Sequence, residues 1–533
     1  MFIEDENTTP GSASKFSFAA IILISLFLLL LPYGRVFLHH QQWIIGDPMP
    51  DASVKNDSDV YDHVWHFWWV SNALDKGIDP RYCDLIYPPT GISLVYHHIG
   101  WFDTYLFAAT GISNYDPVLS LNLSLLLGTL LTGLFGWLLA RSWGADIYGA
   151  LFSALALVWL PSRTAHLLQH YQISNCWALI AALWLCREYL KDRKRRYFLG
   201  FAAAMLAAAF QSPFHAVFVA IGVIATVFII RADWRRTSML VLVVITVMIL
   251  FGAFVVTSPG DAGSPVMHWR NAIYWSAEPQ SFILPSPFGL LGKVTGLQQK
   301  VSWMPNTYEG VVTPGLVILA AFAIIIWKKK RWRFAAVVLV LFLLSLGPEL
   351  RIFGRPLGIP LPFRLMQSIP VLNGIRAPSR FAILGGIFAA VGAGMAFSMM
   401  KDRLRALLMF LLLFELTVLT LPCLLPEIPE VCYDISCEST ILEVPCDRNV
   451  RRYALFQTAS GYSRQYAHLS RLPDFLADIP EFPEIPDNTD VIIYHRWLFE
   501  GTDRDFYDSI YTQYFPGFTE DDSVWILDRT RTP

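Results

Sequence analysis

Long apolar runs separated by short polar ones fill most of this chain, and their lengths predict helices that cross a membrane. The first run, 16–38, is long enough to traverse a hydrocarbon core about 30 Å thick at about 1.5 Å per residue. No small-residue cleavage site follows it, so a retained first span is expected rather than a removed signal peptide. With that span near 17–38, others are predicted near 117–140, 146–161, 172–188, 197–211, 214–230, 238–256, 310–327, 334–347, 382–400 and 406–424, about eleven in all. The run 101–112 is short for a span and reads as an interfacial or partly inserted helix. Residues 39–116 form a large polar first loop holding an amphipathic helix over 57–75. After residue 424 acids and prolines multiply, and short apolar runs at 441–444, 491–494 and 524–527 predict strands. The expectation is therefore a helical polytopic membrane bundle over 1–424 and a small α/β domain over 425–533.

Charge adds an orientation. Basic clusters around Arg193, Arg235, Lys329 and Arg403, with Arg141, lie between apolar runs and mark the cytoplasmic side. The N-terminus is then inside, and the first loop, the loops near 162–171, 257–309 and 347–381, and the tail lie outside. Composition agrees: 54% of residues are hydrophobic, only 16% are charged, and mean hydropathy is +0.43, more apolar than soluble domains. A net charge of −2, with basic residues in short runs between apolar spans rather than on one face, gives no sign of a nucleic-acid partner, and none is expected. Cys432, Cys437 and Cys446 crowd the tail, so at least one disulfide is expected among them, with Cys423 or Cys83 as a further partner. No Walker loop, dinucleotide fingerprint or His-Glu-x-x-His pattern occurs, which removes support for a nucleotide-driven pump or a zinc protease.

The candidate chemistry lies on the outer side. Asp59, Asp62, His63 and His66 fall at i, i+3, i+4 and i+7, so a helix puts them on one face, able to hold a base or a divalent metal such as Mn, Mg or Zn. The same stretch, with Trp65, Trp68 and Trp69, also suits an interfacial helix with indoles at headgroup level. Arg163, His166, His170 and Gln172 sit where an outer loop meets a span, either binding substrate or resting at the interface. Arg376 and Arg380 flank Pro378 at the start of an apolar run. Two guanidiniums at a helix N-terminus make a phosphate site, although they equally anchor a span to lipid headgroups.

These stretches together resemble the GT-C class of integral-membrane glycosyltransferases, specifically its poorly characterised bacterial members. The matching pieces are 59–69 (DVYDHVWHFWW), 87–91 (YPPTG) followed by His97 and His98, Arg163 with His166, His170 and Gln172, 308–310 (YEG), 346–348 (LGP), 376–381 (RAPSRF), Gln457-Thr458, and 470–473 (SRLP). The resemblance implies a transferase in the bacterial inner membrane with a polyprenyl-phosphate sugar as donor and a glycan, lipid or protein as acceptor. It also implies an acidic first-loop residue at the reaction centre. Asp59 matches that position best. Some relatives carry a Gly-Asp pair close before the acid, whereas Gly46-Asp47 here lies further upstream, so Asp47, Asp57 and Asp62 remain alternatives. His97, His98, Arg163, His166, His170, Gln172, Arg376 and Arg380 are the expected substrate-binding residues. Of other classes, a non-catalytic polysaccharide or lipid transporter predicts charges at mid-bilayer, where Glu415 is the main acid, and an envelope assembly scaffold predicts a tail that binds partners.

Overall fold

The computed structural model describes residues 30–46 except 32 and 35, then 58–263, 269–297, 307–369, 372–418, 422–445, 450–467, 485–496, 508–509, 512, 519–520 and 524–529. Asp47, Asp57, Cys446, the 470–473 motif and most of the first expected span lie outside them. A short strand β1 (Trp43–Ile45) leads towards α1 (Asp59–Asp75). The α1 helix begins where Ser58 accepts a hydrogen bond from the Val60 N–H, and Asp59 and Asp62 in its first turn face the positive end of the helix dipole. The bundle proper follows, with α2 (Pro117–Ser142) capped by Asp116 and opened by Pro117. Next come α3 (Ile147–Val158), α4 (Pro213–Ile230), α5 (Trp234–Val256), α6 (Leu316–Lys329), α7 (Phe381–Phe397) and α8 (Asp402–Leu416).

Among the described residues four helices are long and apolar enough to cross a membrane: α2, α4, α5, and α7 with its preceding turn from Pro378. Leu242, Ile245, Ile249 and Leu250 of α5 are exposed, an apolar outer face that only lipid satisfies, and the chain is an integral membrane protein. At the centre, every residue of α7 is buried. Small residues allow that: a Cβ on Gly149 of α3 would come within 2.2 Å of the Gly394 carbonyl, and Ser153 donates to the Ala390 carbonyl at 3.0 Å.

Two expected spans depart most from prediction at one end. The 310–327 span becomes helical only at Leu316, where Glu415 accepts from the Leu316 and Val317 N–H groups at 2.5 and 2.9 Å. The acid on which a transport reading leaned is thus a helix cap. The 406–424 span stops at Leu416, and Pro422–Leu424 forms strand β2, antiparallel to β1.

The tail builds one mixed sheet from β3 (Thr440–Val444), β4 (Ser463–Arg464), β5 (Val491–His495), β6 (Thr519–Glu520) and β7 (Val524–Asp528), in the order β6-β7-β5-β3-β4. Between β3 and β4 a short helix, α9 (Arg452–Gln457), lies on α1. Gln457 makes the joint: its amide accepts from the Trp65 indole at 2.8 Å and donates to the Leu85 and Tyr462 carbonyls at 3.1 and 2.7 Å. The expected disulfide is absent among the described thiols, because Cys83, Cys432 and Cys437 are free. Cys432 packs in the apolar cluster under the sheet, where burial pushes its thiol up to about 12.

Candidate active site

The first turn of α1 is the centre of a chain of polar contacts gathered from four distant stretches. Asp59 holds two partners, Arg451 Nη1 from the tail on Oδ1 at 2.9 Å and His170 Nε2 on Oδ2 at 3.2 Å. One turn on, Asp62 Oδ2 lies 3.5 Å from Arg451 Nε and 3.7 Å from His98 Nε2. A single guanidinium thus spans both carboxylates. Gln169 locks the helix start to the loop: its side chain accepts from the Asp59 N–H at 3.0 Å, and its carbonyl faces His63 Nε2 at 2.7 Å.

From His170 the chain runs inward. Its Nδ1 is 3.3 Å from His166 Nδ1, and His166 Nε2 is 3.6 Å from Glu309. Glu309 accepts from Arg380 Nε and Nη2 at 2.9 and 2.5 Å and from the Ser379 hydroxyl at 2.8 Å. Burial alone would raise the Glu309 carboxyl, but Arg380, with His166 and His170, holds it well below the usual carboxylate range. Burial pushes His166 down to about 4 and His170 down to about 3, so both imidazoles are neutral near pH 7 and keep lone pairs. His166, His170 and Glu309 offer ligand atoms within 4.8 Å of one another. Two neutral imidazoles and an ionised carboxylate suit a divalent ion of the Zn or Mn type.

The site differs from expectation in several places. Asp59, Asp62, His63 and His66 share a helix face but do not converge on one point, since seven residues of helix rise about 10 Å, too far for one ion. Instead His63 and His66 group with His98, and Asp62 groups with His97 and His98. Arg163 is spent on architecture: buried, it donates to the Ser174 and Val158 carbonyls at 2.9 and 2.6 Å and to the Thr129 hydroxyl at 2.6 Å. Gln172 is buried in the turn Tyr171–Ser174 beyond His170. Arg380, expected as a phosphate ligand, already has its charge matched by Glu309 and lies over the Phe214 ring. Arg376 is half-buried with its guanidinium 5.0 Å from the Trp275 ring. Three participants escaped sequence reasoning: Glu309, Gln169 and Arg451. Glu309 lies in a matching piece, 308–310, too short to interpret by spacing. Arg451 has only its place six residues before Gln457 to mark it.

A family model described as a domain of unknown function (DUF6311) matches residues 20–418. No match was found among curated proteins. Among solved structures the chain is similar to ArnT from Cupriavidus metallidurans bound to undecaprenyl phosphate, at 10% identity and a TM-score of 0.53 over 97% of this chain and 99% of that one. It is also similar to the arabinofuranosyltransferase AftD from Mycobacteria, at 14% identity and a TM-score of 0.57 over 96% of this chain, which spans only 40% of AftD. The oligosaccharyltransferase of Archaeoglobus fulgidus, in complex with Zn and sulfate, matches at 13% identity and a TM-score of 0.50, over 90% of this chain and 67% of that one. These neighbours are GT-C glycosyltransferases, and the chain shares their fold.

Proposed function

We propose that this chain, which belongs to the DUF6311 family, is a membrane glycosyltransferase that moves a sugar from a polyprenyl-phosphate donor to an acceptor on the outer face of a bacterial inner membrane. The observation that carries the reading is the convergence of the Asp59 and Asp62 carboxylates with Arg451, His170, His166, Glu309 and Arg380 on a fold shared with GT-C glycosyltransferases, one of them bound to undecaprenyl phosphate. The acceptor, a glycan, lipid or protein, presents a hydroxyl to Asp59. As its oxygen attacks the anomeric carbon, the proton passes to the Asp59 carboxylate, the bond from carbon to phosphate oxygen breaks, and the configuration inverts.

Roles among the cations divide differently from the sequence expectation. Arg380 keeps Glu309 ionised and fixed, while Arg376 meets the phosphate of the departing lipid. His166, His170 and Glu309, with Asp59 beside them, would hold a divalent ion, which supplies positive charge towards phosphate oxygens when bound. Arg451 restrains Asp59 and Asp62 at a fixed separation. In this reading the bundle has about eleven spans, a cytoplasmic N-terminus and an extracytoplasmic tail domain over 425–533, as the basic loops imply.

The test is purified protein incubated with a panel of polyprenyl-phosphate sugars and scored for release of lipid phosphate. Asp59→Asn is expected to lose about 10²–10⁴-fold in rate while remaining folded and inserted. An inactive Asp62→Asn beside an active Asp59→Asn moves the base to Asp62. Release with none of the donors, by protein whose fold is intact, overturns the reading.

A further inference from the structure

Four imidazoles are packed together beside α1. His63 and His66 project from one face of the helix, and His97 and His98 come from the loop that precedes the helix Trp101–Ala109. His98 lies 4.9 Å from His63 and 5.0 Å from His66, ring centre to ring centre, and His97 lies 4.8 Å from His66. His63 and His66 are fully buried.

His63 shows what this packing is for. Its Nε2 is 2.7 Å from the Gln169 carbonyl, which can only accept, so Nε2 carries the hydrogen and Nδ1 carries the lone pair. That Nδ1 is buried and makes no hydrogen bond. An imidazole whose N–H is fixed by a carbonyl while the other nitrogen waits bare is the arrangement of a metal ligand and its supporting contact.

We propose that His63, His66 and His98 form a metal site, separate from the Glu309 set, that takes a borderline-soft divalent ion of the Zn²⁺ class. The ligand atoms of the three lie within 4.8 Å of one another, close enough for one ion. An all-nitrogen donor set favours Zn²⁺ or Co²⁺ over Mg²⁺ and Ca²⁺, which demand oxygen ligands. The Asp62 carboxylate lies 3.7 Å from His98 Nε2, within ion-pair but not hydrogen-bond distance. Bound there, the ion ties the helix that carries Asp59 to the loop before Trp101. The inference stands whether or not the chain transfers sugars.

The full chain in detergent, stripped with chelator and loaded with Co²⁺, tests it through the visible absorption of tetrahedral cobalt and through metal content by mass spectrometry. His166→Ala removes the competing set and is expected to keep the cobalt band, whereas adding His66→Ala or His98→Ala to His166→Ala loses it together with one equivalent of metal. Equal bands and equal metal content in His166→Ala with and without His98→Ala overturn the site. X-ray absorption of Zn²⁺-loaded His166→Ala guards against a folding defect in the other variants. Three imidazole nitrogens around zinc support the proposal, and an oxygen-dominated shell, or no retained zinc, overturns it.

Discussion

Replacing Glu309 by Gln removes one charge while keeping the length and shape of the side chain, so its effect isolates electrostatics. Glu309 is 2% exposed and Arg380 6%, and water cannot take over the lost attraction. The carboxylate satisfies Arg380 Nε, Arg380 Nη2 and the Ser379 hydroxyl at once. An amide in its place accepts through one oxygen and turns N–H donors toward a cation. Breaking a buried pair from one side typically costs about 3–5 kcal/mol, because the surviving charge is left uncompensated. Removing both charges, as in Glu309→Leu with Arg380→Met, leaves no orphan and is expected to cost less than Glu309→Gln alone. The assay is denaturant unfolding in mixed micelles, followed by tryptophan fluorescence, for wild type, both single variants and the double variant. Acid should act in the same sense. The Glu309 carboxyl is held below its ordinary value of 4.5, so its contribution is complete above pH 4.5 and is lost as pH falls towards the folded value. The reasoning fails if Glu309→Gln stays within about 0.5 kcal/mol of wild type, the range of an ordinary surface change.

Arg163→Lys keeps the charge but cannot reach three separated acceptors. It should lower stability by about 1–3 kcal/mol and leave the KM of surviving enzyme unchanged; a raised KM with intact stability would restore Arg163 as a substrate ligand. Arg451→Met leaves the Asp59 and Asp62 carboxylates without the cation that spans them, so turnover should fall while the protein stays folded. An unchanged rate would detach Arg451 from the chemistry. Burial pushes His63 and His166 down to about 4 and His97, His170 and His495 down to about 3, from an ordinary 6.5. The unfolded chain therefore binds protons first, and stability should fall as pH drops from 6.5 towards 4. Glu443, pushed up to about 7 by burial, works in the opposite sense and only partly offsets this. Unfolding midpoints that rise on acidification would contradict the imidazole burial.

Periodicity carried the local part of the site. The α1 helix is readable because acids, imidazoles and indoles repeat at helical spacing, and the structure starts it at Asp59, two residues after the expected 57. Spacing alone could not tell which members of one face meet the same partner, and that depends on what packs against each turn. Asp59 faces a loop 111 residues on, at His170, and Asp62 faces His98. Glu309 and Arg380 are separated by 71 residues, and although both lie in stretches that carry the family resemblance, nothing in the sequence pairs them. Arg163 is a related case. An arginine at a span edge reads as functional when its acceptors, two of them backbone carbonyls, leave no trace in the sequence. The apolar runs were legible as helices, but their ends were not: Glu415 capping α6, and the pairing of β1 with β2, depend on contacts across the whole bundle.

The joint between Gln457 and Trp65 links positions 392 residues apart, which sets a timetable for biosynthesis. At about 5–20 residues per second, about 20–80 s separate the emergence of the first loop from that of the segment that covers it. Throughout that interval the Trp65 indole and the Asp59 and Asp62 carboxylates await their tail partners, while the apolar helices between them are already being delivered to the bilayer. A chain whose synthesis stops before Arg451 therefore inserts as a membrane protein with an open, unfinished centre. The amount of inserted protein in a cell and the amount of competent protein count two separate events in its manufacture.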